Sequence, residues 1–256
     1  SVGSVYCLSG TIAAECIVMG WPVPLAIAVG LVVGIACGVV NGFVIVYANI
    51  PPLIVTLGMM YIARGIVYVL TMGVPVYPLT DAFESVEQTN VLGYIPTIVI
   101  AAVVLAVIAH ILLKNTKYGR SIYAVGGNSE AARVSGINVR SIRMSVYAVA
   151  GALAGFSGIM MTSRLGSAQA SSGTGFEMTV IAATIIGGTS TYGGTGTILG
   201  SVLGAFFLEV LSNSLTIMRI SVYWQDILTG VLLIGAVVID TYKRLLMQRK
   251  AVNETK

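Results

Sequence analysis

Charge is what this chain has least of. Its 256 residues carry 14 Lys and Arg, 10 Asp and Glu and one His, so only 9% are charged. Soluble domains carry roughly a quarter, and so sparse a set cannot cover a water-facing surface. With 56% hydrophobic residues and a mean hydropathy of +0.92, the composition excludes a soluble globule and requires an integral membrane protein. Residues that do chemistry are equally scarce. No His-Glu-x-x-His or Cys-x-x-Cys occurs, and Cys7, Cys16 and Cys37 all fall in apolar segments with no metal-ligand spacing, so they are read as packing residues. A phosphate-binding loop needs a lysine after its glycines; the glycine runs at 126–127, 187–196 and 200–204 hold none. The single histidine, His110, ends an apolar run and reads as a helix-end or packing residue, with a proton relay as the alternative. The basic residues lack the interleaved aromatics that stack on bases, so nucleic acid is excluded as a partner. Neither a catalytic residue, a metal nor a cofactor is expected. The opening residues SVGSVYCLSG have no basic n-region and no initiator Met, so they are expected to be the interior of a longer protein rather than a signal peptide.

Long apolar runs and 30 glycines are what the chain has instead. A membrane span needs about 20 mostly apolar residues, and small residues let helices approach closely in lipid. Spans are expected at 3–19, 25–47, 53–72, 95–113, 144–163, 177–189, 197–217 and 222–241, punctuated by WPVP at 21–24 and IPP at 50–52. The fold class is all-α, a polytopic transmembrane helix bundle of about eight spans. The sixth span is short and runs into GGTSTYGGTG at 187–196. That stretch is either a turn between helices or irregular backbone lining a pathway, which is tolerated at membrane depth only inside protein or beside water. The connector 74–93 carries Asp81, Glu84 and Glu87 and no base.

One polar island interrupts the apolar runs. Residues 114–143, KNTKYGRSIYAVGGNSEAARVSGINVRSIR, hold Lys114, Lys117, Arg120, Arg133, Arg140 and Arg143 against one acid, Glu130. Basic loops mark the cytoplasmic face. Four later spans return the tail, with Lys243, Arg244, Arg249, Lys250 and Lys256, to the same side, and four earlier ones place Ser1 near it. Arg164 and Arg219 fall at outer ends as a mild exception. Within the island, 128–136 predicts a short helix. Asn128 or Ser129 accepts from its first amides, Glu130 and Arg133 complement its dipole, Ala131 and Ala132 favour helix, and Gly136 suits a left-handed cap. Two turns of helix are marginal alone, so this one either rests on the protein's own surface or docks into a partner.

Ionisable residues inside spans cost a few kcal/mol on insertion scales and face the bundle interior. Glu15, Arg64, Glu177 and Glu209 are of this kind. One acid is expected to pair with Arg64 and fix helix register, or else Arg64 serves the substrate path.

The segment YGRSIYAVGGNSEAARVSGINV at 118–139 resembles the cytoplasmic loop of the permease subunits of bacterial ABC sugar importers of the ribose, xylose and galactose type. SVGS at 1–4, PPLIVTLGMMYIARG at 51–65 and SAQASSGTGFEMTVIAATIIGGTSTYGGTGTILGSVLGA at 167–205 resemble the same family in the same order. The resemblance covers essentially the whole chain and implies about ten spans in a complete subunit, so an N-terminal part is expected to be missing. It implies one permease domain over 1–256 in the bacterial inner membrane, multi-pass, with 114–143 as its cytoplasmic loop. It also implies cytoplasmic ABC ATPase subunits, a second permease subunit and a periplasmic sugar-binding protein as partners, with ATP hydrolysed in the partner. The coupling positions carried over are Asn128, Glu130, Ala131, Arg133, Gly136 and Asn138. A sugar path offers hydroxyls, amides and aromatic faces, and the candidates are Thr56, Tyr61, Arg64, Gln169, Thr174, Phe176, Thr184 and Asn213. The alternative is an ion-coupled secondary transporter, which would leave the docking loop unexplained and for which no inverted repeat is evident.

Overall fold

Each long apolar run becomes a helix. A computed structural model describes residues 1–88, 90–91 and 95–254, with side chains at 1–86, 96–238 and 240–242. In chain order the helices are α1 (Val2–Val18), α2 (Val23–Tyr47), α3 (Pro52–Thr71), α4 (Asp81–Gln88), α5 (Thr97–Asn115), α6 (Lys117–Gly127), α7 (Ser129–Val134), α8 (Val139–Leu165), α9 (Phe176–Ile186), α10 (Ile198–Ile217) and α11 (Val222–Glu254). Among the described residues the strands are two residues each, β1 (Asn90–Val91) and β2 (Ile95–Pro96), paired antiparallel. The chain is an all-α polytopic bundle. α2, α3, α5, α8, α10 and the Val222–Tyr242 part of α11 are long and apolar enough to cross a membrane, and α1 and α9 are shorter apolar helices. Pro22 and Pro51 stand immediately before α2 and α3, where a fixed φ and a missing N–H cost nothing. The apolar surfaces of the long helices face outward: α5 buries none of its residues, and Leu53, Val69 and Phe206 are each more than two-thirds exposed. Such surfaces suit lipid and not water.

Two compact units divide the chain, Ser1–Leu105 with Asn138–Glu177, and Ala106–Ile137 with Met178–Lys256. In the first, α1 is the central helix, buried along most of its length among α2, α3 and α8. Glycines make the closest contact. Gly30, Gly34, Gly38 and Gly42 recur every fourth residue on α2 and are all buried, as are Gly151, Gly155 and Gly158 on α8. A Cβ on Gly34 would stand 2.6 Å from the Gly151 carbonyl oxygen and 3.0 Å from the Gly155 Cα, so backbone meets backbone. Lipid tails supply no solvent-driven force between helices, and close packing of this kind is what holds them. α4 covers the end of α8 with Phe83, which is fully buried, while Ser163 Oγ donates to the Phe83 carbonyl at 2.7 Å. In the second unit, Ala182, Ala183 and Leu208 form a small core with Ile186, Leu232 and Leu233 from α9, α10 and α11.

Two features differ from the expected layout. The polar island is not a loop with one helix but a helix pair, α6 and α7, and α6 is amphipathic enough to fold as a full three turns. The short sixth span is α9, flanked by irregular backbone on both sides, at 166–175 and 187–197, where the sequence had marked only the second. The basic side chains of the tail and Glu87 lie outside the described side chains.

The packing predicts a contrast. Gly34→Ala should destabilise the detergent-solubilised protein by about 1–3 kcal/mol, the scale of overpacking. Gly58→Ala, whose Cβ would meet nothing within 4 Å, should be neutral or gain up to ~1 kcal/mol from helix propensity. Thermal unfolding midpoints of the two variants would show the difference, and equal midpoints would refute it.

Candidate functional site

The helix pair is built by its caps. Thr116 accepts from the Gly119 amide at 3.1 Å and starts α6. Asn128 Oδ1 accepts from the amides of Glu130 and Ala131, both at 3.0 Å, and starts α7. α7 ends at Gly136, whose φ of +82° lets its own amide reach the Arg133 carbonyl while the Ile137 amide reaches that of Ala132, each at 3.0 Å. This is a Schellman closure, which satisfies carbonyls that a helix end leaves bare. Asn138 then caps α8, its Oδ1 accepting from Ser141 at 3.1 Å. Six residues of helix are thus held by the Asn128 side chain at one end and by backbone amides at the other. Ala132 is buried and α7 packs on α6. Glu130, Ala131, Arg133 and Val134 face outward. Arg133 and Glu130 pair at 2.9 Å with both side chains about three-quarters exposed, at 71% and 74%. Val134, which the sequence reading passed over, is 84% exposed. Its signal was an apolar residue at the end of a helix otherwise made of polar and small ones.

A second constellation surrounds Arg64. The irregular segment 166–175 runs back along α1: Ala168 joins the cluster of Ala13, Ala14 and Ile17, Ala170 that of Cys7 and Leu8, and Gly173 lies against Gly3. Its carbonyls alternate in fate. Those of Gln169, Ser171 and Gly173 accept from amides three residues on, at 3.0, 3.3 and 3.2 Å. Those of Ala170 and Ser172, between them, both accept from Arg64 Nη1 at 2.7 Å. The Cys7 thiol adds longer contacts to Gln169 and Ala170 at 3.4 and 3.6 Å. Arg64 was expected to pair with an acid; backbone carbonyls take that place. Among the described residues the recorded ion pair is Glu130–Arg133. The reason is local. Turns leave carbonyls unmet in an apolar surround, and a guanidinium offers a fork of donors close at hand.

The other path candidates divide between the units. Gln169, Thr174 and Phe176 are exposed on or beside this segment, with the Phe176 ring 5.5 Å from that of Tyr6. Tyr61 lies one turn before Arg64 on α3 and is 74% exposed, and Thr56 stands further back, bonded to its own helix at Leu53. Thr174 and Thr184 likewise donate to carbonyls three residues earlier, at 2.7 and 2.9 Å, a local habit of hydroxyls in helices and turns. Thr184 and Asn213 belong to the second unit, on α9 and α10. Ser171, exposed between Ala170 and Ser172, was not singled out from the sequence.

The chain matches the model of the family described as the permease component of the branched-chain amino acid transport system over residues 1–237. It belongs to this transport-permease family. Curated relatives of this permease include the ribose import permease protein RbsC of Haemophilus influenzae, 40% identical over 246 residues that cover 94% of this chain and 76% of that protein. The D-allose transport system permease protein AlsC of Escherichia coli is 38% identical over 241 residues, covering 94% and 74%. The xylose transport system permease protein XylH of Escherichia coli is 34% identical over 302, covering 94% and 77%. No solved structure matches the permease.

Two outcomes test the site's construction. Arg64→Met leaves two carbonyls without donors, at about 1–3 kcal/mol each. In a Cys16→Ala, Cys37→Ala background it should raise the rate at which a membrane-permeant maleimide labels Cys7. An unchanged rate would show that Arg64 does not hold segment 166–175. Gly136→Val forces a β-branched residue into the left-handed region and should cost about 1–2 kcal/mol, read as a lower unfolding midpoint.

Proposed function

We propose that this chain is the membrane-spanning permease subunit of an ABC importer, carrying a ribose-like monosaccharide across the bacterial inner membrane. A periplasmic binding protein delivers the sugar, a second permease subunit completes the path, and cytoplasmic ATPase subunits drive it. The observation that carries the reading is α7: a short helix capped at both ends, buried on one side through Ala132, offering Glu130, Arg133 and Val134 outward. An exposed apolar residue beside a preformed ion pair, on an element too short to be stable by itself, suits docking into a partner's groove. Residues 114–143 are then the coupling loop of a single permease domain, and their six basic residues set that face as cytoplasmic.

Family membership alone leaves the cargo class open, because the family's description concerns amino acids while the relatives at 34–40% identity are permeases for ribose, allose and xylose. The monosaccharide reading rests on those relatives. Arg64, Gln169, Thr174 and Phe176, with Thr56 and Tyr61, are the polar and aromatic path residues proposed in the first unit, and Thr184 and Asn213 those proposed in the second. Arg64 acts there through the backbone it holds in place. Such residues pass cargo without gripping it, which leaves selectivity to the binding protein. The ATP chemistry belongs to the partner.

Affinity purification from the native host in mild detergent, followed by mass spectrometry, tests the reading. The wild-type chain should bring down an ATPase. Arg133→Glu, which puts a like charge beside Glu130, should weaken that association by roughly tenfold or more at unchanged membrane yield. Recovery of wild-type chain alone, with uptake abolished by a protonophore at constant ATP, would replace the ABC reading with an ion-coupled one. Undiminished recovery with Arg133→Glu would remove α7 from the interface.

A further inference from the structure

We propose that segment 187–196 is the joint through which displacement of the α6–α7 pair reaches α9 and α10, with Tyr123 and Asp240 as its positioning residues. This rests on the reading of that pair as the ATPase dock. The segment connects α9 to α10 and lies in the same unit as α6, α7 and α11. Gly188, Gly193, Gly194 and Gly196 all have positive φ, from +76° to +152°, a path that residues with a Cβ seldom follow.

Three separate contacts hold it. Tyr123, in the middle of α6, donates its hydroxyl to the Gly196 carbonyl at 2.8 Å. At the end of α6, backbone meets backbone: a Cβ on Gly126 would stand 2.8 Å from the Gly194 amide, and one on Gly194 would stand 2.7 Å from the Gly127 Cα. Gly126 and Gly127 seat the last turn of α6 on this segment. On α11, Asp240 Oδ2 accepts from the Thr191 amide at 3.1 Å, the Thr191 hydroxyl at 2.9 Å and the Ser190 hydroxyl at 3.3 Å. The segment is therefore pinned to α6 at its C-terminal end and to α11 near its middle.

It also has room to move. Beside it lies a cleft of about 820 Å³ bordered by Ile186, Gly193, Phe207, Val231, Leu232 and Asp240. A segment bonded to the dock and bordered by a cleft is displaced when the dock is displaced, and its ends are the ends of α9 and α10. In chain order α9 begins just after Thr174, so the joint adjoins the helix that follows the proposed path residues.

The test uses the intact complex with its ATPase and follows hydrogen exchange of residues 187–196 with and without trapping by ATP and vanadate. The wild type should show a nucleotide-dependent difference in that segment. In Tyr123→Phe and Asp240→Leu complexes that still carry the ATPase, the difference should shrink by roughly 2- to 30-fold, the range found for residues that modulate coupling. Asp240→Asn keeps an acceptor for Thr191 and should retain it, which loss of bulk stability would not explain. With the ATPase bound, absence of a difference in the wild type, or an undiminished one in both Tyr123→Phe and Asp240→Leu, overturns the proposal. Failure of the dock itself would be seen earlier and separately, as wild-type chain purified without an ATPase, and would take this inference with it.

Discussion

A peptide carbonyl inside a hydrocarbon layer has no water to bond, so the protein must supply its donor. The same need for donors shapes the irregular segment between α8 and α9, where Ala168 and Ala170 are buried. From Gln169 to Gly173 turn geometry meets alternate carbonyls from within the segment, one guanidinium meets those of Ala170 and Ser172 between them, and the Val76 amide meets that of Ala168. The guanidinium acts with the buried Ala168 and Ala170 and the Val76–Ala168 bridge in holding the segment along α1. With it in place, the chain can leave helix, expose Gln169, Ser171 and Thr174, and return to helix at Phe176. An ionised side chain in an apolar span is costly; here its partners are dipoles fixed by the backbone, so no second buried charge is needed.

Close approach of backbones is the complementary device. α2 and α8 meet through glycines on both faces, and the end of α6 meets the 187–196 connection in the same way. The first contact joins two regular helices over several turns and makes a rigid core. The second joins a helix end to a non-repetitive strand of glycines and is pinned by single side chains from two other helices. The same chemistry thus gives a frame in one unit and a yielding seam in the other.

Much of this was legible in the amino-acid pattern because the signals were strong in kind. Apolar runs bounded by proline gave α2 and α3 to within two residues. The ends of α7 followed from Asn128 or Ser129 as the cap, of which the structure uses Asn128, and from Gly136, since few residues accept from first-turn amides or tolerate a positive φ. α6 was hidden: Lys117–Gly127 has no long apolar run, and it ends in two glycines, which favour helix least. The partner of Arg64 was hidden for a different reason. A pattern search pairs a charge with a charge, and nothing in the letters SAQASS announces two unmet carbonyls. Val134 escaped notice because one exposed valine carries no periodicity. Tyr123, Gly196 and Asp240 are far apart in sequence, and their meeting depends on tertiary structure that local pattern does not encode.

The arrangement at Arg64 bears on how such a chain can change over generations. Because the carbonyls of Ala170 and Ser172 are committed to one guanidinium, the register of the segment against α3 is set, and adding or removing a residue there would present the wrong carbonyls. The backbone makes those bonds, not the side chains. Positions 169, 171 and 174 are therefore free to vary in chemistry while the length of the segment is frozen. A lineage could retune the chemistry of this surface by substitution alone, with the scaffold beneath it unchanged.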